Sequence, residues 1–190
     1  MKKALCVLML ALLLPCAALA QVIRCDDFTM DLDPGMSRQI GEKAEGATVL
    51  QVFPAQQAAD DDQTSLSVTW TGQALDLDAM TGLSLSMYGS SMLDSFRQGF
   101  EAAGLTVVDC SLLSIEMTQL GGKQAMRFDI SSTVDYSAMG AEFTGVIRSV
   151  CQRSYVVPVP DGVYVFACVS PDAAAIDACI EPLLKTVQWN

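Results

Sequence analysis

Past Gly104 polar and apolar residues alternate with a period of two through Leu105 to Thr118, Gln124 to Tyr136 and Glu142 to Val157, and a fourth run, Val163 to Val169, is apolar throughout. Gly121-Gly122, the region of Gly140 and Pro160-Asp161-Gly162 separate these runs, so the pattern predicts a four-strand antiparallel meander with short turns. Two earlier β-rich runs, Thr48 to Phe53 and Leu66 to Trp70, predict a first hairpin across Pro54 to Gln63. Between hairpin and meander the period lengthens. Met80, Leu83, Met87, Tyr88, Met92, Phe96, Phe100 and Ala103 fall three and four apart, which predicts a helix from Asp78 to about Ala103 with this stripe turned to the core. Asp78 is the expected N-cap and Gly104 the residue after the C-cap. Gly82 and Gly89 each cost about 1 kcal/mol relative to Ala and favour a late start or a bend.

Ser170-Pro171-Asp172 supplies a second helix start, with Ser170 as cap, Pro171 at the first helical position, and Ile176, Cys179, Ile180 and Leu183 on one side. Pro182 then kinks or restarts the helix. Gln21 to about Gly46 is polar and irregular, with a turn at Asp33-Pro34-Gly35 and a short strand through Phe28, Met30 and Leu32. The expected organisation is a leader over residues 1–20, a lead-in segment over 21–46 and a single domain over 47–190. The fold class is α+β, an antiparallel β-sheet of about six strands with helices on both faces, which accounts for the unbroken apolar run at Val163 to Val169.

Lys2 and Lys3, the apolar run Ala4 to Leu14, a break at Pro15 and the boundary Ala18-Leu19-Ala20 have the form of a secretory signal peptide cleaved after Ala20. The apolar run falls short of the roughly 20 residues that span a bilayer, so no membrane span is expected after cleavage. Leu14-Pro15-Cys16 puts proline where a lipid-modified cysteine needs a small residue before it. The expected location is therefore extracytoplasmic, periplasmic or secreted.

Cleavage removes two lysines and no acid, so the formal charge moves from −11 to −13 on a mature chain of 170 residues. Counterion release at nucleic acid needs clustered Lys and Arg, so no nucleic-acid partner is expected. Five cysteines remain: Cys25, Cys110, Cys151, Cys168 and Cys179. Outside the cytosol they are expected to bridge, with Cys168 paired to Cys179 and Cys151 the competitor across the last hairpin. No C-x-x-C occurs, so neither a redox dithiol nor a zinc knuckle is expected.

The chain contains no histidine. This excludes Ser-His-Asp and Cys-His nucleophiles, H-E-x-x-H zinc sites and an imidazole proton shuttle. None of Lys43, Lys123 and Lys185 sits in S-x-x-K, and no G-x-G-x-x-G or Walker loop occurs, so neither a catalytic residue nor a cofactor is expected. Asp31, Asp33 and Glu42 match positions 1, 3 and 12 of a calcium loop, and Asp60, Asp62 and Thr64 match less well. Both lack glycine at position 6 and read as solvated turns, so no metal site is expected. The acidic triplet Asp60, Asp61 and Asp62, and the cluster of Asp26-Asp27 with Asp31 and Asp33, are the expected electrostatic contributors to partner binding.

Four stretches carry a resemblance. They are Phe28-Thr29-Met30-Asp31-Leu32-Asp33-Pro34-Gly35-Met36, Ser114-Ile115-Glu116 through Leu120-Gly121-Gly122-Lys123-Gln124-Ala125, Gly162-Val163-Tyr164-Val165-Phe166 and Leu184-Lys185-Thr186-Val187. With the order strand, strand, helix, four-strand meander, helix, they resemble the PsbP-like αβα sandwich, a family that includes an extrinsic photosystem protein, a Ran-binding nuclear-import factor and many bacterial exported proteins. The resemblance implies binding rather than catalysis, and the export signal excludes a Ran-binding role. The expected function is an exported, non-enzymatic binding or accessory module of the cell envelope whose partner is a protein or a small neutral or cationic ligand. The alternatives are a carboxylate-dependent hydrolase of the glycosidase type and a structural envelope component.

The leader generates the first prediction. Intact-mass measurement on protein from the producing cell's envelope gives a chain that begins at Gln21, and retention of Met1 to Ala20 refutes it.

Overall fold

A period of two places successive side chains on opposite faces of a strand, so the alternating runs can bury one face and leave the other wet. The computed structural model describes residues 21–55 and 64–190; the leader, and residues 56–63 with Asp60, Asp61 and Asp62, lie outside the described residues. Among the described residues ten strands form: β1 (Gln21–Arg24), β2 (Phe28–Leu32), β3 (Met36–Ile40), β4 (Thr48–Pro54), β5 (Ser65–Thr71), β6 (Thr106–Leu120), β7 (Lys123–Asp135), β8 (Ile147–Val159), β9 (Gly162–Ser170) and β10 (Gln188–Trp189). Seven make one antiparallel sheet in the order β3-β4-β5-β9-β8-β7-β6, and three make a smaller sheet in the order β1-β2-β10. The expected first hairpin is β4–β5 and the expected meander is β6 to β9. The two join where β5 pairs with β9, from Ser65 opposite Val169 to Thr71 opposite Val163.

Both faces of β9 are covered, which is why its run is apolar without interruption. Tyr164, Phe166 and Cys168 enter one buried cluster with Leu50, Val52, Leu66, Val68 and Val157. Val163 and Val165 enter the other, with Met126, Phe128, Ile130 and Val156. The expectation of about six strands between two helical layers needs correction. The sheet has seven strands, and its second face carries the small sheet together with a short helical segment. The segment expected as a lead-in supplies β1, β2 and β3, and Ile23, Phe28, Met30 and Leu32 are core residues.

Helix α1 (Gly82–Ala102) covers the first face over β6. It starts four residues after the expected cap because the Asp76 carboxylate takes the backbone N–H groups of Asp78 and Ala79 into a turn. Thr81 then caps the helix, its side chain accepting from Ser84 N–H while Ser84 Oγ accepts from Thr81 N–H. At the other end Gly104, at φ +80°, donates to Glu101 and Leu105 donates to Phe100, a Schellman closure that needs the left-handed residue glycine provides. The stripe packed on the sheet is Leu85, Tyr88, Met92, Leu93 and Phe96, all half-buried, around the buried Gly89. Leu83 and Met87, expected in the core, are 74% and 66% exposed. The reason is the close approach at Gly89, where an added Cβ would stand 2.8 Å from Leu112 Cδ2 and 3.1 Å from Ile115 Cδ1, fixing the helix rotation.

The second helical segment joins α2 (Ala173–Ala175), a π turn (Ile176–Ile180) and α3 (Glu181–Leu184). Asp172 rather than Ser170 caps it, accepting from Ala174 N–H. Pro182 stands in the first turn of α3, the restart expected from the sequence.

These contacts set the second prediction. Gly99→Ala meets nothing within 4 Å and raises stability by about 1 kcal/mol in urea unfolding. Gly89→Val drives two methyl groups into Leu112 and Ile115 and lowers stability by about 2 kcal/mol. Equal effects at the two glycines refute the close approach.

Candidate functional site

The second-face layer reaches β6 only at its end, where Leu120 is buried and its carbonyl accepts from Trp189 Nε1, so the rest of β6 is bare on this face. Residues opposite one another in an antiparallel ladder share a face. On this face β6 contributes Thr106, Asp109, Ser111, Ser114 and Glu116, and β7 answers with Asp135, Thr133, Ser131, Asp129 and Arg127. Strand β8 follows with Ile147, Ser149, Cys151, Arg153 and Tyr155. Register shifts between Val107 and Asp109 and between Leu112 and Ser114 make Val108 and Leu113 extra, exposed residues. Each bulge turns the alternation over by one residue, which keeps the acids and hydroxyls together and leaves Cys110, Leu112 and Ile115 to pack under α1.

An ion ladder runs from the bare region to the helical segment. Arg153 donates from Nε to Asp129 (2.8 Å) and from Nη1 to Glu181 (2.8 Å) and Asp177 (2.5 Å). Arg127 donates to the other Asp129 oxygen at 2.7 Å and lies 3.2 Å from Glu116. Ser114 Oγ donates to Asp129 at 2.9 Å, and Tyr155 OH donates to Glu181 at 2.7 Å. Burial acts to raise the Asp129 pKa, but hydrogen bonds from Arg127, Arg153 and Ser114, with the charge of Arg153, outweigh it and hold the carboxyl below its ordinary value. Burial and then Glu181 push the Tyr155 phenol up. Asp135 is lowered by its hydrogen bonds from Ser137. The acids Asp109, Glu116, Asp129, Asp135, Asp177 and Glu181 outnumber Arg127 and Arg153 by four charges. Lys123, further along β7, is drawn onto the Trp189 ring, 4.8 Å from its centroid.

A second cluster ties the two sheets together. Lys43 Nζ donates to Asp27 (2.5 Å) and Asp161 (2.7 Å) and lies 4.9 Å from the Trp70 ring centroid and 5.5 Å from that of Tyr164, whose OH donates to Asp27. Of the acids singled out in the sequence, Asp27 therefore has a structural partner, Asp33 closes a turn onto Gly35 N–H, and the Asp31 backbone N–H donates to Thr186 Oγ1. Asp60, Asp61 and Asp62 lie outside the described residues.

All five cysteines beyond the leader are free thiols. The expected Cys168–Cys179 bridge does not form: Cys168 is fully buried, whereas the π turn brings Ile176 and Ile180 inward and rotates Cys179 to the exposed side. A π turn advances less per residue than an α-helix, which is enough to take Cys179 off the inner face. Cys151 is diagonal to Cys168, since Arg153 stands opposite Cys168 and Ser170 opposite Cys151. Burial raises the Cys168 pKa, and burial with the charge of Asp26 raises that of Cys25 to about 11.

No family profile matches the chain, and no curated protein sequence matches it. Solved structures do match. The solution structure of cyanobacterial PsbP (CyanoP) from Synechocystis superposes with a TM-score of 0.56 at 10% identity, covering 94% of this chain and 99% of that one. The fold is PsbP-like. Weaker matches are PA94, a Pseudomonas aeruginosa protein of unknown function (TM-score 0.46, 10% identity, 88% of this chain and 94% of that one), and LpqN, involved in cell envelope biogenesis of Mycobacterium tuberculosis (0.42, 11%, 90% and 90%). Among the described residues no helix is long and apolar enough to cross a membrane.

The ladder gives the third prediction. Arg153→Met leaves Glu181 without its cation and Asp129 with Arg127 alone, and costs about 2 kcal/mol in urea unfolding at pH 7. Because the folded Asp129 pKa lies below its unfolded value, its contribution is present above about pH 4 and is lost as pH falls through the folded value. The gap between variant and wild type therefore narrows on acidification, and a gap constant from pH 7 to pH 3 refutes the assignment.

Proposed function

We propose that the chain is an exported, non-enzymatic binding or accessory module of the cell envelope that receives a cationic protein segment at the bare face of β6, β7 and β8. The observation that carries this reading is the composition of that face: small hydroxyl side chains and an excess of carboxylates on a bare strand surface beside a covered one. Small side chains leave room for a partner's long Lys and Arg stems, and carboxylates complement their charge. The overall charge of −13 on the mature chain adds long-range attraction for a basic partner and acts chiefly on the association rate.

Support for the non-enzymatic part comes from the direction of the shifts. A carboxyl that serves as general acid near neutral pH needs a raised pKa. Among the described residues, the carboxyls with a resolved shift are Asp27, Asp129 and Asp135, and each is lowered. Export rests on the leader.

The fourth prediction tests the face. The combined variant Asp109→Asn, Glu116→Gln and Asp135→Asn keeps its thermal midpoint within a few degrees, since Asp109 and Glu116 are exposed and the amide oxygen of Asn at 135 still accepts from Ser137 N–H. It binds an end-capped oligolysine peptide about tenfold more weakly than wild type, at about 0.5 kcal/mol for each lost pair, and the difference shrinks as salt rises. Unchanged affinity overturns the reading, as does turnover of glycan, ester or peptide substrates that one carboxylate substitution abolishes.

A further inference from the structure

Strand β6 is the outer strand of the large sheet, with β7 its one partner among the described residues. An outer strand presents a row of unpaired backbone N–H and C=O groups, a template for one more strand. The bulges at Val108 and Leu113 break the first half of β6, but from Ser114 to Leu120 its register with β7 is unbroken. That is seven residues, the length of an ordinary strand; at its end Leu120 is buried and its carbonyl accepts from Trp189 Nε1, so the open backbone groups are those from Ser114 to Gln119. Its two faces differ in chemistry: Glu116 lies on the acidic face, whereas Met117 lies on the face that α1 occupies and is 39% exposed. A shallow, open and mostly polar depression lined by Met117, Thr118, Gln119 and Gln124 lies beside it. The opposite edge offers less. Strand β3 has five residues, and its Arg38 side chain is tied across to Gln21 of β1.

We infer that the cationic partner docks by strand addition: an extended segment with alternating basic and apolar residues pairs with Ser114–Gln119, its basic side chains on the Glu116 face and its apolar ones beside Met117. The inference rests on the proposed function and specifies its mode. Main-chain hydrogen bonds supply affinity, and the alternation of side chains supplies selectivity. Charge fixes which face the basic residues take, because reversing them would set them against Met117 and lose Glu116.

The test uses the purified protein with three end-capped seven-residue peptides: alternating Lys and Val, the same peptide N-methylated at alternate backbone nitrogens, and alternating Glu and Val. Strand addition predicts that the Lys–Val peptide binds, that N-methylation weakens it by more than tenfold through two or three lost hydrogen bonds of about 1 kcal/mol each, and that the Glu–Val peptide does not bind. It also predicts slowed amide exchange within Ser114–Gln119 on binding, a readout that side-chain docking does not move. Equal affinity of the Lys–Val and N-methylated peptides, without slowed exchange, overturns strand addition and leaves the cationic partner in place. If neither peptide binds, the proposed function fails with it.

Discussion

The pairing of β9 with β5 on one side and β8 on the other is the interaction on which the other layers depend. It joins a hairpin that ends at Thr71 to a meander that begins at Thr106, and it requires a strand that is apolar on both sides. On one side, Tyr164 and Phe166 meet Phe28 and Trp189 with ring centroids 5.3 to 6.0 Å apart, which brings β2 and β10, from the two ends of the described chain, onto the same surface. Trp189 Nε1 donates to Leu120 O, and Asn190 N–H to Asp27 O, so the last residues close on the meander and on the β1–β2 turn. Gly162 opens the strand, and a Cβ there would stand 2.1 Å from Thr71 O, so glycine is what lets the turn lie this close to β5.

The covering layers leave different parts of the sheet open. The apolar contacts of α1 are with β6 to β9, and those of the small sheet and helical segment reach across β4, β5, β9 and β8 on the other face, with Leu120 and Ala125 at the β6–β7 turn. The ladder Glu116–Arg127–Asp129–Arg153–Glu181 lies at the boundary of the second layer, where a strand face passes from covered to bare. Ion pairs in such a place add little net stability, because the loss of hydration offsets the attraction. Their effect is positional. Arg153 holds Asp177 and Glu181, and so fixes where the helical segment stops on the sheet.

Periodicity made the meander, the first hairpin and α1 legible, because each buries one continuous stripe. It missed β1, β3 and β10, which have four, five and two residues, and of these β1 and β3 are mostly exposed. It missed the β5–β9 pairing for a different reason: strand order is a property of long-range packing that local alternation does not encode. The helix rotation failed because Gly89 was weighed as a weak helix former, when its use is to let the helix approach Leu112 and Ile115. The ladder spans Glu116 to Glu181, a separation with no local signature. One signal was present. Arg127 and Asp129, two apart in an alternating strand, share the polar face, and the polar side of a strand carries as much information as its apolar side.

Both outer strands of a seven-stranded sheet invite self-pairing, and the chain answers with charge and irregularity rather than cover. Val108 and Leu113 bulge out of β6, which bends the edge and breaks its register. Asp109 and Glu116 stand along the same strand, so a second copy pairing edge to edge meets a surface of its own sign. At a formal charge of −11 the whole chain reinforces that repulsion at a distance. Features that oppose a like copy do not oppose a basic strand, for which the same carboxylates are complementary. On the proposed reading, the residues that oppose a like copy are the ones that attract the cationic segment.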